Sequence, residues 1–216
     1  MSRAPDFILA LDTEASGQNS CDHFLVEIGM SLVHRESEKV VTTFSSFVAQ
    51  PAGTGWEPRC VREFWNQLPG DAFARAKEEL ERAPPAQTVR DNLLMWVRKN
   101  VSDPSNTIVA TDTPGFDVCW LNHLLRDRSH LYLFTDEQGE PMFTPYLDTS
   151  SWYLGLNEVL DPNSSSYEAA EEVVSGLTGS TGSLDIYRAL HTHRASDDAT
   201  SIGLKLAHVM NALISD

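Results

Sequence analysis

The sequence predicts an α/β protein, a mixed sheet with helices on its faces. Three observations lead there. Phe7-Ile8-Leu9-Ala10-Leu11 is a short apolar run followed by polar residues and Gly17, the pattern of a buried strand. Phe24–Val33 and Val40–Val48 read as two more strands, and the polar stretch His34–Lys39 between them suits a hairpin, so the chain opens as an antiparallel meander. Helical spacing then takes over, with Val61, Phe64, Trp65 and Leu68 on one face of a first helix and Val89, Leu93, Trp96 and Val97 on another.

The remaining elements follow in order. Pro84-Pro85 separates a helical segment, Asp71–Arg82, from the helix after it. Thr107–Thr111 is a strand. Thr113-Pro114 then reads as an N-cap with proline at the first helical position, and Leu121, Leu124 and Leu125 continue that helix on one side. Leu131–Phe134 reads as a short strand. The tract 161–183 is rich in Ser and Gly and reads as a flexible excursion with a short helix, within a single domain spanning 1–216. A last helix from about Asp197 to Leu213 carries Ile202, Leu206, Val209 and Leu213 as its buried stripe.

Composition narrows the class. A chain of 216 residues with 41% hydrophobic residues and five Trp can bury a full core. No apolar run is long enough to span a bilayer, so no membrane role is expected, and the first residues lack the basic head and apolar stretch of a secretory signal. Cys21, Cys60 and Cys119 are odd in number and widely spaced, which suits free thiols in a reducing cytoplasm. The formal net charge of −15 argues against a long nonspecific nucleic-acid groove. No Lys or Arg falls between Arg128 and Arg188, so any phosphate-contacting cation must come from elsewhere.

Three places carry candidate chemistry. Asp12-Thr13-Glu14 follows the first apolar run, and residues i and i+2 of a strand share a face. Two carboxylates side by side resist joint ionisation, which divalent cations relieve, and oxygen ligands suit Mg²⁺ or Mn²⁺ rather than zinc. Taken alone, D-x-E in so acidic a chain reads as a solvated strand end. Asp117 falls in the first turn of the helix after Pro114, where a carboxylate favours the helix N-terminus, and its apolar neighbours suggest a cleft position. His193-Arg194-Ala195-Ser196-Asp197-Asp198-Ala199 opens the last helix. Five residues after His193 comes Asp198, whereas five after His191 comes Ser196, so His193 is the histidine of the motif; Asp197 is better read as stabilising the helix start.

H-x-A-x-x-D-A at the start of a C-terminal helix resembles the third motif of the DEDDh 3′→5′ exonucleases. Asp12-Thr13-Glu14 after an apolar strand resembles their first motif, Phe116-Asp117-x-x-x-Leu121 their second, and Glu27-Ile28-Gly29 a segment common among them. Where the second motif usually carries Gly-His-Asn, this chain has Thr111-Asp112-Thr113-Pro114-Gly115. Phe64-Trp65-Asn66-Gln67 resembles a paired-aromatic helix of a bacterial and phage exoribonuclease branch. The resemblance implies a ribonuclease-H-like fold, a mixed five-stranded sheet flanked by helices. It implies that Asp12, Glu14, Asp117 and Asp198 bind two ions, Mg²⁺ or Mn²⁺, about 3.5–4 Å apart, and that His193 is the general base. The implied reaction is hydrolysis of single-stranded RNA, or else DNA, from a free 3′ end to nucleoside 5′-monophosphates. A catalytically retired binding module on the same fold is the alternative, and it would need no such residue set. Oligomeric state is not legible.

Rival sites have less to stand on. Cys119 and His123, with His191 and His193, lack paired-cysteine spacing for zinc, and Cys119 in an apolar helix is expected in the core. No P-loop, G-x-G-x-x-G or G-x-S-x-G occurs. Trp56, Trp65, Trp120 and Trp152 are expected to pack in the core or cleft rather than stack on bases.

Overall fold

The computed structural model describes residues 4–125, 133–135, 141–142, 146–153 and 192–215. Strands β1 (Phe7–Ala15), β2 (Leu25–His34) and β3 (Lys39–Phe47) form the antiparallel meander; β4 (Thr107–Thr111) and β7 (Tyr146–Asp148) add in parallel, for the order β3-β2-β1-β4-β7. The sheet is therefore mixed and five-stranded. Helices α1 (Pro58–Glu63), α2 (Ala72–Arg82), α3 (Ala86–Asn100), α4 (Pro114–Leu125) and α5 (Ala195–Ser215) surround it, and β5 (Phe134–Thr135) with β6 (Pro141–Met142) makes a separate two-stranded ribbon. The tract 161–183 lies outside the described residues.

The two faces of the sheet follow from the two-residue period of β1. Leu9 and Leu11 pack with Leu93, Val97, Trp120 and Leu121 of α3 and α4. Ile8 and Ala10 pack with Ala199, Ile202 and Leu206 of α5. Asp12 and Glu14 continue the second row toward the start of α5, while Thr13 continues the first toward α4. Strand β2, between β3 and β1, is buried along nearly its whole length, whereas β3, at the edge, is largely exposed.

Several elements depart from the sequence reading. The apolar run ends at Leu11, yet β1 continues to Ala15, because β2 still pairs with it through Asp12↔Gly29, Thr13↔Ile28 and Glu14↔Glu27. Pairing with β4 stops at Ala10, so the reactive carboxylates stand inside a strand but past the end of its parallel neighbour. The helix expected through Val61 and Leu68 breaks at Phe64 (φ −123°, ψ −74°) and resumes as a 3₁₀ turn, Trp65–Gln67. Leu68 precedes Pro69, which disfavours helical backbone there, and the indole of Trp65 is tied to the carbonyl of Ala15 at 3.1 Å. The fifth strand of the sheet is Tyr146–Asp148, too short for an alternating pattern; of the short strand read at Leu131–Phe134, Leu131 and Tyr132 lie outside the described residues and Phe134 pairs in the separate ribbon.

Helix α5 begins at Ala195, two residues earlier than expected, and its stripe is Ile202, Leu206 and Val209; Leu213 is 37% exposed. Asn211 already reaches the carbonyl of Arg35 at 2.9 Å, so Leu213 lies beyond the end of β2. Cys119 is exposed rather than in the core, and Trp65 and Trp120 are buried.

The start of α5 lies on the sheet at Gly29. A Cβ there would stand 2.0 Å from the carbonyl carbon of Ala195, whereas one at Gly203 would meet side-chain carbons only, a methyl of Val33 at 2.8 Å and the Cβ of Ala10 at 3.2 Å. Gly29→Ala must shift backbone and is expected to destabilise by at least about 2 kcal/mol, an overpacking cost. Gly203→Ala is expected to cost less, because about 1 kcal/mol of helix propensity offsets the crowding. Urea unfolding of the two variants checks the order; equal stabilities would contradict it.

Candidate active site

Asp117 is placed by the geometry just described. Beyond Ala10 the outer edge of β1 has no β4 residue to bond, and the Asp117 carboxylate takes over. The backbone N–H of Thr13 donates to its Oδ1 at 3.0 Å and the Thr13 hydroxyl to the same atom at 2.7 Å. On Oδ2 it accepts from the Thr113 hydroxyl at 2.8 Å and from the Thr111 hydroxyl. Thr113 was expected to cap α4 with its side chain; its carbonyl accepts from Phe116 and Asp117, but its hydroxyl serves the carboxylate. Asp117 is 0% exposed and burial lifts its carboxyl to about 6 against the threonine hydrogen bonds that lower it.

Two groups of potential metal ligands form beside one another. Asp12, Asp112 and Asp117 bring one oxygen each within 4.8 Å of the others, and Glu14, His193 and Asp198 do the same with theirs. All five residues singled out from the motifs are thus gathered at one place. Asp112 is an addition the motifs did not indicate; its only sequence signal is its place where the family's second motif usually carries histidine.

Burial, then the nearby Asp117 and Glu14, push the Asp12 carboxyl well above the usual carboxylate range; burial, then Asp198 and Glu27, do so for Glu14. The Oδ2 atom of Asp12 is buried and accepts no hydrogen bond from the described residues. Such oxygens ask for cations. Arg59 is the one Lys or Arg among the described residues lining the cavity, and it is held at 2.7 Å by Glu63. The donor set, hard carboxylate oxygens with one imidazole, fits Mg²⁺ or Mn²⁺.

His193 has a left-handed backbone (φ 55°), and its Nδ1 lies 4.0 Å from Glu14 Oε1. The edge of its ring meets Phe64 at 5.4 Å between centroids, 88° between planes. Phe64 is in turn braced by Trp65, which packs on Trp56 and Phe73. The break at Phe64 therefore has a use: it turns one aromatic from the cluster onto His193. Before His193, the Thr192 N–H donates to Asp198 Oδ1 at 2.9 Å.

A cavity of about 420 Å³ opens over these groups, lined by Asp12, Glu14, Asp112, Phe116, His193 and Asp198 among others. That volume matches a small-ligand cleft, not an extended groove. Cys60 also lines it, but burial, then Glu57 and Glu14, push its thiol up to about 11, so it is no nucleophile at neutral pH. Neither Cys119 nor His123 falls in either ligand group. No helix among the described residues is long and apolar enough to cross a membrane.

Three solved structures share this arrangement of strands and helices. The nuclease domain of 3'hExo, a DEDDh family member bound to rAMP, superposes with a TM-score of 0.61 at 15% identity, over 98% of this chain and 93% of that one. The chain has the fold of the DEDDh nuclease domains. Cell-death related nuclease 4 (CRN-4) gives 0.59 at 13% identity, over 97% of this chain and 64% of that one. A 3'-exonuclease described for its 3'-end specific recognition of histone mRNA stem-loop gives 0.58 at 11%, over 100% and 84%. No protein-family model and no curated protein matches the sequence. The ribonuclease-H-like expectation for the fold is thus met at sequence identities where only the fold is shared.

Stability should report the carboxylate cluster directly. A carboxyl whose folded pKa is raised contributes fully at acid pH and loses that contribution as pH rises through the folded value, here about 6 for Asp117 and higher than usual for Asp12 and Glu14. In EDTA these groups should therefore lower the melting temperature between about pH 4 and pH 7. Mn²⁺ should restore it, with a larger rise at pH 7.5 than at pH 5.5, since cations and protons compete for the same oxygens. Scanning calorimetry at the two pH values checks this, and an absent Mn²⁺ effect would contradict the cation reading.

Proposed function

We propose that this chain is a metal-dependent 3′→5′ exonuclease that hydrolyses single-stranded nucleic acid, RNA in preference to DNA, to nucleoside 5′-monophosphates. The observation that carries the reading is the gathering of Asp12, Glu14, Asp117, Asp198 and His193, drawn from three elements and the loop before α5, around one cavity short of positive charge. A cleft of this size suits a chain end. The RNA preference is supported by two proteins of the same fold, one bound to rAMP and one described for 3'-end specific recognition of a histone mRNA stem-loop.

In this reading Asp12, Glu14, Asp117 and Asp198 hold two divalent cations, Mg²⁺ or Mn²⁺, and Asp112 adds a carboxylate on the Asp12 side. When bound, the cations supply the Lewis acidity that phosphodiester hydrolysis needs. Asp117 has a second task, since two of its four donors are the N–H and hydroxyl of Thr13, and holding Thr13 between Asp12 and Glu14 sets the direction of both side chains. His193 accepts the proton of the attacking water as the phosphorus–oxygen bond to the leaving 3′ oxygen breaks. Phe64 and Glu14 keep its ring over the cleft. The acidic surface leaves no basic track for a long strand, so processivity is weak.

Two measurements separate the roles. Asp12→Ala should abolish both hydrolysis and Mn²⁺ binding. His193→Ala should lower kcat by about 10²–10⁴-fold and leave Mn²⁺ affinity, read by calorimetry, nearly intact. Loss of Mn²⁺ binding in folded His193→Ala would make His193 a ligand instead of the base. Matched 5′-labelled RNA and DNA oligomers test the rest. Shortening from the 3′ end, faster for RNA and blocked by a 3′-phosphate, is the expected result; loss from the 5′ end would refute the polarity.

A further inference from the structure

Glu27 is 2% exposed, sits on β2, and belongs to neither ligand group. It faces the residues that follow His193. The Ser45 hydroxyl donates to its Oε1 at 2.8 Å; Arg194 Nε reaches Oε1 and Oε2 at 3.4 and 3.3 Å, and Nη2 reaches Oε1 at 3.4 Å. The backbone N–H of Ala195, the first residue of α5, donates to it as well. An acidic side chain from a neighbouring strand thus satisfies a free N–H at the helix start, where the helix dipole also favours negative charge.

Arg194 is held from its other side too. Its carbonyl accepts from the N–H groups of Asp197 and Asp198 at 2.8 and 3.0 Å, and its guanidinium lies 5.3 Å from the centre of the Phe47 ring. Glu27 therefore grips the residue directly after His193 through its side chain and the next one through its backbone. His193 itself has a positive φ, which a non-glycine residue holds only where its surroundings impose it. On the sheet side Gly29 leaves room for Ala195 to come down onto β2.

We infer that Glu27 is a positioning residue: by anchoring Arg194 and the first N–H of α5, it holds the backbone of His193 in the conformation that aims the imidazole into the cleft. The inference rests on the general-base reading of His193. Glu27 belongs to neither ligand group; its charge also raises the neighbouring Glu14 carboxyl, an effect that Mn²⁺ affinity reads, whereas its hold on His193 is read by kcat.

A double-mutant cycle tests this. Steady-state release of terminal nucleotide with Mn²⁺ would be measured for the whole chain and for Glu27→Ala, Glu27→Gln, Arg194→Ala and His193→Ala, and for Glu27→Ala and Arg194→Ala combined with His193→Ala. Glu27→Ala should lower kcat by about 10–100-fold, as loss of an orienting partner typically does, with KM and Mn²⁺ affinity within about threefold. Glu27→Gln should recover most of the rate, because its amide oxygen still accepts from Ala195 and Ser45. In the His193→Ala background, Glu27→Ala should remove less than a further threefold or so. Should Glu27→Ala fail to fold, Arg194→Ala, at a side chain 43% exposed, should show a smaller loss that also vanishes without His193. A loss of equal size in both backgrounds, an unchanged kcat, or a collapse of Mn²⁺ affinity would overturn the inference. If His193→Ala alone left kcat unchanged, the general-base reading would fail first and take this inference with it; the single variant distinguishes the two failures.

Discussion

Asp12 with Asp117, and Glu14 with Asp198, stand within 4.8 Å in two neighbouring groups, largely out of water, and the structure around them is arranged to tolerate that repulsion. Each carboxylate is met by a different device. Three threonine hydroxyls and a backbone N–H hold Asp117. Asp198 accepts from the Thr192 N–H and stands in the first turn of α5, as Asp117 does in the first turn of α4. Asp12 retains an oxygen with no partner, and that unmet demand is where cation affinity has most to gain. Burial raises the carboxyls of Asp12, Glu14 and Asp117 above their ordinary values, which favours their protonated forms where no cation stands beside them.

The same constraint explains the outline of the sheet. Had β4 continued alongside β1 beyond Ala10, its carbonyl would have satisfied Thr13 and no place would remain for Asp117. Ending β4 early exchanges a ladder hydrogen bond for a charged acceptor from α4. On the opposite face α5 must descend far enough to bring Asp198 to Glu14, and Gly29 permits that approach. Strand end, helix start and glycine act together: changing any one moves a carboxylate relative to the others.

Rigidity is distributed unequally around the cleft. The carboxylates stand on β1 and in the first turns of two helices, which suits a site that must hold cations at fixed separation. His193 stands in a short loop with a left-handed backbone, braced by Phe64 on one side and by the Glu27–Arg194 pair on the other. In the proposed reading, a base at this position gains its aim from these neighbours rather than from its own secondary structure, so residues away from the cavity matter to its alignment.

Much of this was legible in the sequence. The buried strand at Phe7–Leu11, the proline at the head of α4 and the period of α5 follow from local chemistry, because a strand or helix must present apolar residues to whatever packs on it. Asp12, Glu14, Asp117, His193 and Asp198 were marked by motif spacing, and the fold brings them together. The sequence could not show the strand Tyr146–Asp148, which is three residues long and exists only because β4 offers it an edge. Nor could it show the break at Phe64, the exposure of Leu213 and Cys119, or the part played by Asp112 and Glu27. Those depend on pairings between residues far apart in the chain, Glu27 with Arg194 and Thr13 with Asp117, and on where one element ends against another. Local propensity carries no record of such pairings: the sequence by itself determined which residues could carry the chemistry, and the tertiary structure alone decided their neighbours.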